Sequence, residues 1–129
     1  MASPREYTIY VVVDDDAVRE SICVLMEAFG FGTCAFGSAS AFLRSDRLAA
    51  KSCLIVDDAL PGMSAFELLG LLRSEGLQAP AVVMARRVSS GAQAAGDRLG
   101  ALLLQKPYTG DKLIDCLVKA FARNRHRPI

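Results

Sequence analysis

The 129 residues predict an α/β fold in which helices cover both faces of a parallel sheet. Two observations carry this. Short β-type runs alternate five times with stretches of helical periodicity, and Gly, Pro, Ser or Asp punctuates the joints. The strand-like runs are also nearly continuous in apolar residues, as strands buried on both faces are.

The first strand is the β-branched and aromatic run Tyr7 to Val13. Val18, Ile22, Leu25, Met26 and Phe29 then repeat at helical spacing through Ala17 to Phe29, and Gly30 supplies the stop. A short second strand covers about Gly32 to Phe36. Ser38 caps a helix containing Phe42 and Leu43, expected to reach about Leu48. Cys53 to Val56 is the third strand, followed by a Pro61-Gly62 turn. Ser64 and Glu67 have capping-box spacing and open a helix with Phe66, Leu69, Leu72 and Arg73 at helical intervals, closed by Gly76. Pro80 precedes the fourth strand, Ala81 to Ala85. The next helix is weakened by Gly91 and Gly96, each costing roughly 0.8 to 1 kcal/mol against Ala. A fifth strand lies near Ala101 to Leu104, and Thr109 caps a last helix through Leu113, Leu117 and Phe121.

Strands that alternate with helices form βαβ units with right-handed crossovers, and the flavodoxin-like order 2-1-3-4-5 is one of the two common arrangements for an open sheet. The length suits one domain, with a core over about residues 7–122 and a basic stub at 123–129. Fifteen basic and fourteen acidic residues leave no broad field to attract nucleic acid or an anionic membrane. No apolar run approaches the roughly 18 to 20 residues of a membrane span, and "MASPREYT" is not a signal core. A cytoplasmic location is therefore expected. Cys23, Cys34, Cys53 and Cys116 are widely spaced and His126 is the sole histidine, so reduced, inert core thiols are expected in place of zinc or disulfides.

Two apolar runs stop at carboxylates, "VVVDDDA" at Asp14-Asp15-Asp16 and "IVDDALPG" at Asp57-Asp58. In the expected order, strands one and three are neighbours whose carboxyl ends open on the ligand-binding crevice, and Lys106 after strand five reaches the same place. Carboxylates ~4 Å apart repel by about 4 kcal/mol at an effective dielectric near 20, so the cluster calls for cations. Lys106 and Mg²⁺ would supply them, and the same arrangement suits a carboxylate nucleophile acting on phosphorus. The chemistry expected is formation and hydrolysis of an aspartyl phosphate.

"VVVDDDAVRES", "LIVDDALPGMS" and "LLQKPY" together resemble the receiver domain of bacterial two-component response regulators, particularly the FixJ-like branch. The resemblance covers nearly the whole chain. It implies that Asp57, four residues before Pro61, is the phosphoacceptor. It implies further that Asp14 and Asp15 hold Mg²⁺ with Asp57 and the Ala59 main-chain carbonyl, and that Lys106 contacts the phosphoryl group. The Lys106-Pro107 peptide bond is expected to be cis.

The switch positions depart from the family. Ala85 stands where a Ser or Thr hydroxyl is expected, Arg86 follows where a small residue is usual, and Leu103 replaces the coupled aromatic. Arg86 could offer its guanidinium to phosphoryl oxygens, or could pair with Asp57 or Asp58 and occupy the site. Ser89 and Ser90 could replace the missing hydroxyl or cap the following helix. Asp16 and Asp58 read as loop acids, Tyr108 as packing, and Arg123, Arg125 and Arg127 as a solvated terminus that does not bind nucleic acid.

The resemblance thus implies a receiver phosphorylated by a sensor histidine kinase or phosphotransfer protein, with output through a downstream protein partner. Homodimerisation through the fourth helix and fifth strand is part of that expectation. The binding-module alternative is a receiver acting without phosphorylation. "VVVDDDAV" also fits the opening of haloacid-dehalogenase-type phosphatases, but those place their Lys before the later acidic pair. Beyond self-phosphorylation and self-dephosphorylation, no enzyme activity is expected.

Overall fold

The computed structural model describes residues 6–45 and 51–125. Its elements alternate in the order β1 (Thr8–Val12), α1 (Asp16–Ala28), β2 (Gly32–Phe36), α2 (Ala39–Leu43), β3 (Ser52–Asp57), α3 (Ala65–Ser74), β4 (Ala81–Ala85), α4 (Ser90–Leu99), β5 (Ala101–Gln105) and α5 (Gly110–Arg125). The strands form one parallel sheet in the order β2-β1-β3-β4-β5, the flavodoxin-like arrangement expected.

Side-chain alternation along the strands divides the core into two layers. Ile9, Val11 and Val13 face α1 and α5, packing with Ile22, Met26, Leu113 and Leu117. Tyr10 and Val12 face the other way, onto Phe42 of α2 and Leu68, Leu69 and Leu72 of α3. Burying an aliphatic side chain of this size contributes about 1.5–3 kcal/mol relative to leaving it exposed, so both layers stabilise the sheet between its helices. The register matters for the site: Val12 lies level with Val56, Asp57 with Met84, and Ala85 with Gln105. The carboxyl ends of β1, β3, β4 and β5 therefore finish together.

Local signals in the sequence act as read at several joints. Ser38, Ser64 and Ser89 cap α2, α3 and α4 through their side chains, Ser64 and Glu67 complete a capping box, and the Thr109 hydroxyl accepts from the Lys112 N–H. Three expectations need correction. The helix after Ser38 stops at Leu43, because the Ser45 N–H and hydroxyl both take the Phe42 carbonyl and close the turn; Leu48 lies outside the described residues. Gly96 is more than a weak point in α4: a Cβ there would stand 3.0 Å from the Ala101 carbonyl oxygen and 3.4 Å from Leu103 Cδ2. The basic terminus does not begin as a stub at residue 123, since α5 runs through Arg125 and Arg123 pairs with Asp97 of α4 at 3.6 Å. His126 and Arg127 lie outside the described residues.

Candidate functional site

β3 runs one residue beyond its apolar stretch, so its last residue, Asp57, sits at the mouth of the sheet and is only 8% exposed. Its Oδ1 accepts the Ala59 N–H at 2.9 Å, an Asx-type closure that turns the chain out of the strand. Lys106 follows β5, where its own N–H donates to the Ala85 carbonyl at 2.8 Å. Its Nζ lies 2.8 Å from both Asp57 oxygens. A carboxylate this buried needs a cation, and the lysine supplies one from a side chain that still reaches solvent. The Lys106-Pro107 peptide bond is cis, as expected.

Asp14 and Asp15 converge on the same place. They line, with Asp57, Ala59, Lys106 and Tyr108, a cavity of about 510 Å³. The two acids are not equivalent. Asp15 is the N-cap of α1, its Oδ1 accepting the Val18 N–H at 2.9 Å. The Asp14 carboxylate accepts no hydrogen bond from any described residue and is exposed. Asp16 turns outward and pairs with Arg19, and Asp58 stays outside the cavity with its N–H on the Met84 carbonyl. Asp58 is the loop acid that the sequence suggests, whereas Asp16 is the first residue of α1.

Among the described residues, no three carboxylate, imidazole or thiol groups cluster tightly enough to chelate a metal by themselves. The trio Asp14, Asp15 and Asp57 shares a cavity without forming such a cage. The donor chemistry nonetheless fits a hard, hydrated ion. Mg²⁺ keeps several waters and takes one or two carboxylates plus ligand oxygens, and Asp14, Asp57 and Ala59 offer oxygens along one open cavity.

The atypical positions have definite surroundings. Ala85 is buried at the end of β4 and presents no donor. Arg86 is exposed, and no ion pair joins it to Asp57 or Asp58 among the described residues. Lys106 holds the place that the blocking reading gave to Arg86. Leu103 packs in the α3 and α4 layer against Gly96. The Ser89 hydroxyl is engaged in capping, accepting the Ala92 N–H at 3.1 Å.

Tyr108 packs on the α1 and α5 layer as expected, but it also lines the acidic cavity, which sequence reading missed. Its place directly after Lys106-Pro107 was the available signal. Burial, and then the Asp57 carboxylate, push its phenol above the ordinary tyrosine range. The cysteines are free; burial likewise raises the thiols of Cys53, Cys116 and Cys23, consistent with inert core groups. Cys34 departs from that reading, since it lies exposed on the edge strand β2.

No family profile matches the chain. The transcriptional regulatory protein FixJ of Azorhizobium caulinodans is 31% identical over 122 residues, covering 94% of this chain and 58% of its own length. FixJ of Bradyrhizobium diazoefficiens is 32% identical over 106 residues, 81% of this chain and 52% of that protein. The chain thus spans little more than half the length of these curated relatives. Among solved structures, FixJ-N superposes with a TM-score of 0.79 at 26% identity, covering 95% of this chain and 97% of the other. The response regulator StyR gives 0.79 at 32% identity, with 94% of this chain and 62% of the other covered.

Proposed function

The chain is a FixJ-like receiver domain of two-component response regulators, and on that premise we propose that it accepts a phosphoryl group on Asp57. The donor is a sensor histidine kinase or a phosphotransfer protein. One observation supports this above the rest: a nearly buried aspartate at the end of β3 has both oxygens 2.8 Å from a lysine and opens on a cavity lined by two further acids.

Among the described residues, Asp57 Oδ2 accepts only from Lys106, whereas Oδ1 also accepts from Ala59, so Oδ2 has more free lone-pair capacity for attack. In transfer from a phosphohistidine, Oδ2 forms the new O–P bond while the N–P bond breaks and its electron pair returns to the imidazole. Lys106 then moves its charge from the carboxylate to the phosphoryl oxygens. Mg²⁺, when bound, neutralises charge on the transferring group; Asp14, Asp57 and the Ala59 carbonyl would hold it, with Asp15 beside them. Attack of water at phosphorus reverses the modification, which makes self-dephosphorylation the accompanying activity. Arg86, at the end of β4, replaces the absent hydroxyl of Ala85 with a guanidinium that reaches the phosphoryl oxygens.

Output passes to a downstream protein partner, with homodimerisation through α4 and β5. The support for that surface is the position of β5 at the sheet edge; the hollow lined by Leu102, Leu103 and Leu104 lies on the α5 side of that strand, against Lys112, Asp115, Cys116 and Lys119. No helix among the described residues is long and apolar enough to cross a membrane, and direct nucleic-acid binding is not assigned to this chain.

The test is acetyl phosphate labelling with and without Mg²⁺, followed together with sedimentation. Wild type should label only with Mg²⁺, and Asp57→Asn should not label. Undiminished labelling of Asp57→Asn would sink the assignment. Arg86→Ala should label roughly tenfold more slowly, the loss of one charge-assisted hydrogen bond; faster labelling would restore the reading in which Arg86 blocks the site.

A further inference from the structure

The acidic loop between β1 and α1 is built around a cation of its own. Arg19, one turn into α1, folds its guanidinium back beneath the loop, with the side chain only 22% exposed. Its Nη1 donates to the Val13 carbonyl at 2.8 Å and lies 3.2 Å from the Asp14 carbonyl, while Nη2 pairs with the Asp16 carboxylate. The guanidinium rests on Gly37 of the turn after β2, where a Cβ would stand 3.3 Å from Nη1. Val13 is anchored from its other side, its N–H donating to the Phe36 carbonyl at 3.0 Å. Asp15 is anchored by its capping bond and by its carbonyl, which accepts the Arg19 N–H at 2.9 Å.

The Val13 N–H, the Val13, Asp14 and Asp15 carbonyls and one Asp15 carboxylate oxygen are thus tied down, whereas the Asp14 carboxylate lines the cavity without a hydrogen-bond partner among the described residues. We propose that Arg19 is a positioning residue of this site: seated against Gly37 and bonded to the Val13 and Asp14 carbonyls, it sets the backbone from which Asp14 binds the divalent cation. The proposal rests on the Mg²⁺-dependent receiver reading above. Its physical content is that geometry outweighs charge. A cationic guanidinium near a cation site opposes binding by Coulomb repulsion, so if Arg19 acted by charge alone, its removal would tighten Mg²⁺. If it acts by preorganising an outer support for the ligand, removal weakens Mg²⁺ by roughly tenfold, the lower end of the range for such supports. The two accounts differ in sign.

The experiment is a Mg²⁺ titration of the full chain by calorimetry and amide NMR, comparing wild type with Arg19→Gln, Arg19→Lys and Gly37→Ala. Gly37 has no positive φ, so alanine fits its backbone and the variant displaces the guanidinium without changing charge. Circular dichroism melting confirms that each variant is folded at the assay temperature. Expected are weaker binding for Arg19→Gln by roughly tenfold, an intermediate value for Arg19→Lys, and a smaller loss for Gly37→Ala. Unchanged or tighter binding by Arg19→Gln overturns the proposal. Absence of Mg²⁺ binding by wild type would instead sink the Mg²⁺-dependent phosphoacceptor reading; whether Arg19 positions the Asp14 backbone is then decided by metal-free amide exchange. Faster exchange at Val13 and Val18 in Arg19→Gln, with α5 amides unchanged, upholds it, and unaltered exchange overturns it.

Discussion

Asp57 combines three demands that few positions can meet at once: near-complete burial, a bidentate lysine and a face left open to a cavity. Removing Lys106 leaves that carboxylate without its cation, so Lys106→Met should slow labelling by acetyl phosphate while leaving the chain folded, as a melting curve run beside the assay will check. Tyr108 reports on the same carboxylate. Burial and Asp57 both disfavour its phenolate, so its pKa lies above the ordinary value. The folded state therefore favours the neutral phenol; that contribution to stability is fully present below the ordinary tyrosine pKa and is lost as pH rises through the raised one. In an ultraviolet titration, Asp57→Asn should bring the Tyr108 transition to lower pH, and Tyr108→Phe should remove it. A Tyr108 transition that ignores Asp57→Asn would show that the two groups are not coupled.

At the scale of elements, caps and close approaches decide where helices begin and how near they lie to the sheet. The Ser64 and Glu67 capping box satisfies two N–H groups at the start of α3, and Ser64→Ala should cost about 1 kcal/mol in urea unfolding. Gly96→Ala sets two effects against each other. Helix propensity favours alanine by about 0.8–1 kcal/mol, but the added Cβ meets the Ala101 carbonyl at 3.0 Å and Leu103 at 3.4 Å. A carbonyl in a paired strand cannot move aside, and overpacking of this kind costs about 1–3 kcal/mol. The variant should be less stable than wild type; a gain in its urea midpoint would mean that α4 is free to shift.

Across the whole molecule, Arg73 joins parts that no single element connects. Its Nε donates to the Leu99 carbonyl at 2.9 Å, Nη1 to Leu77 at 2.7 Å and Nη2 to Ala79 at 2.8 Å. One guanidinium thereby ties α3 to the approach to β4 and to the end of α4. Helical periodicity placed Arg73 on the inner side of α3, yet nothing in spacing could tell that it satisfies three carbonyls. Arg73→Met keeps much of the stem packing and removes the donors, so it should destabilise the chain by about 2–3 kcal/mol. A urea midpoint equal to wild type would show that water replaces the guanidinium at no cost. Asp97 and Arg123 add a second link between α4 and α5, on exposed side chains where an ion pair contributes little.

The order of strands, most of the caps and the meeting of Asp14, Asp15, Asp57 and Lys106 were legible in the sequence. Apolar runs that stop at charged residues mark strand ends, and a right-handed parallel sheet puts those ends on one side. What each group does after arriving there was decided by tertiary contact. Whether Lys106 or Arg86 reaches Asp57, whether Arg73 takes the Leu99 carbonyl and whether Gly37 makes room for the Arg19 guanidinium depend on distances between segments remote in the chain. Periodicity and local propensity describe a residue's own element, and they hold no information about which group from another element comes within hydrogen-bonding reach.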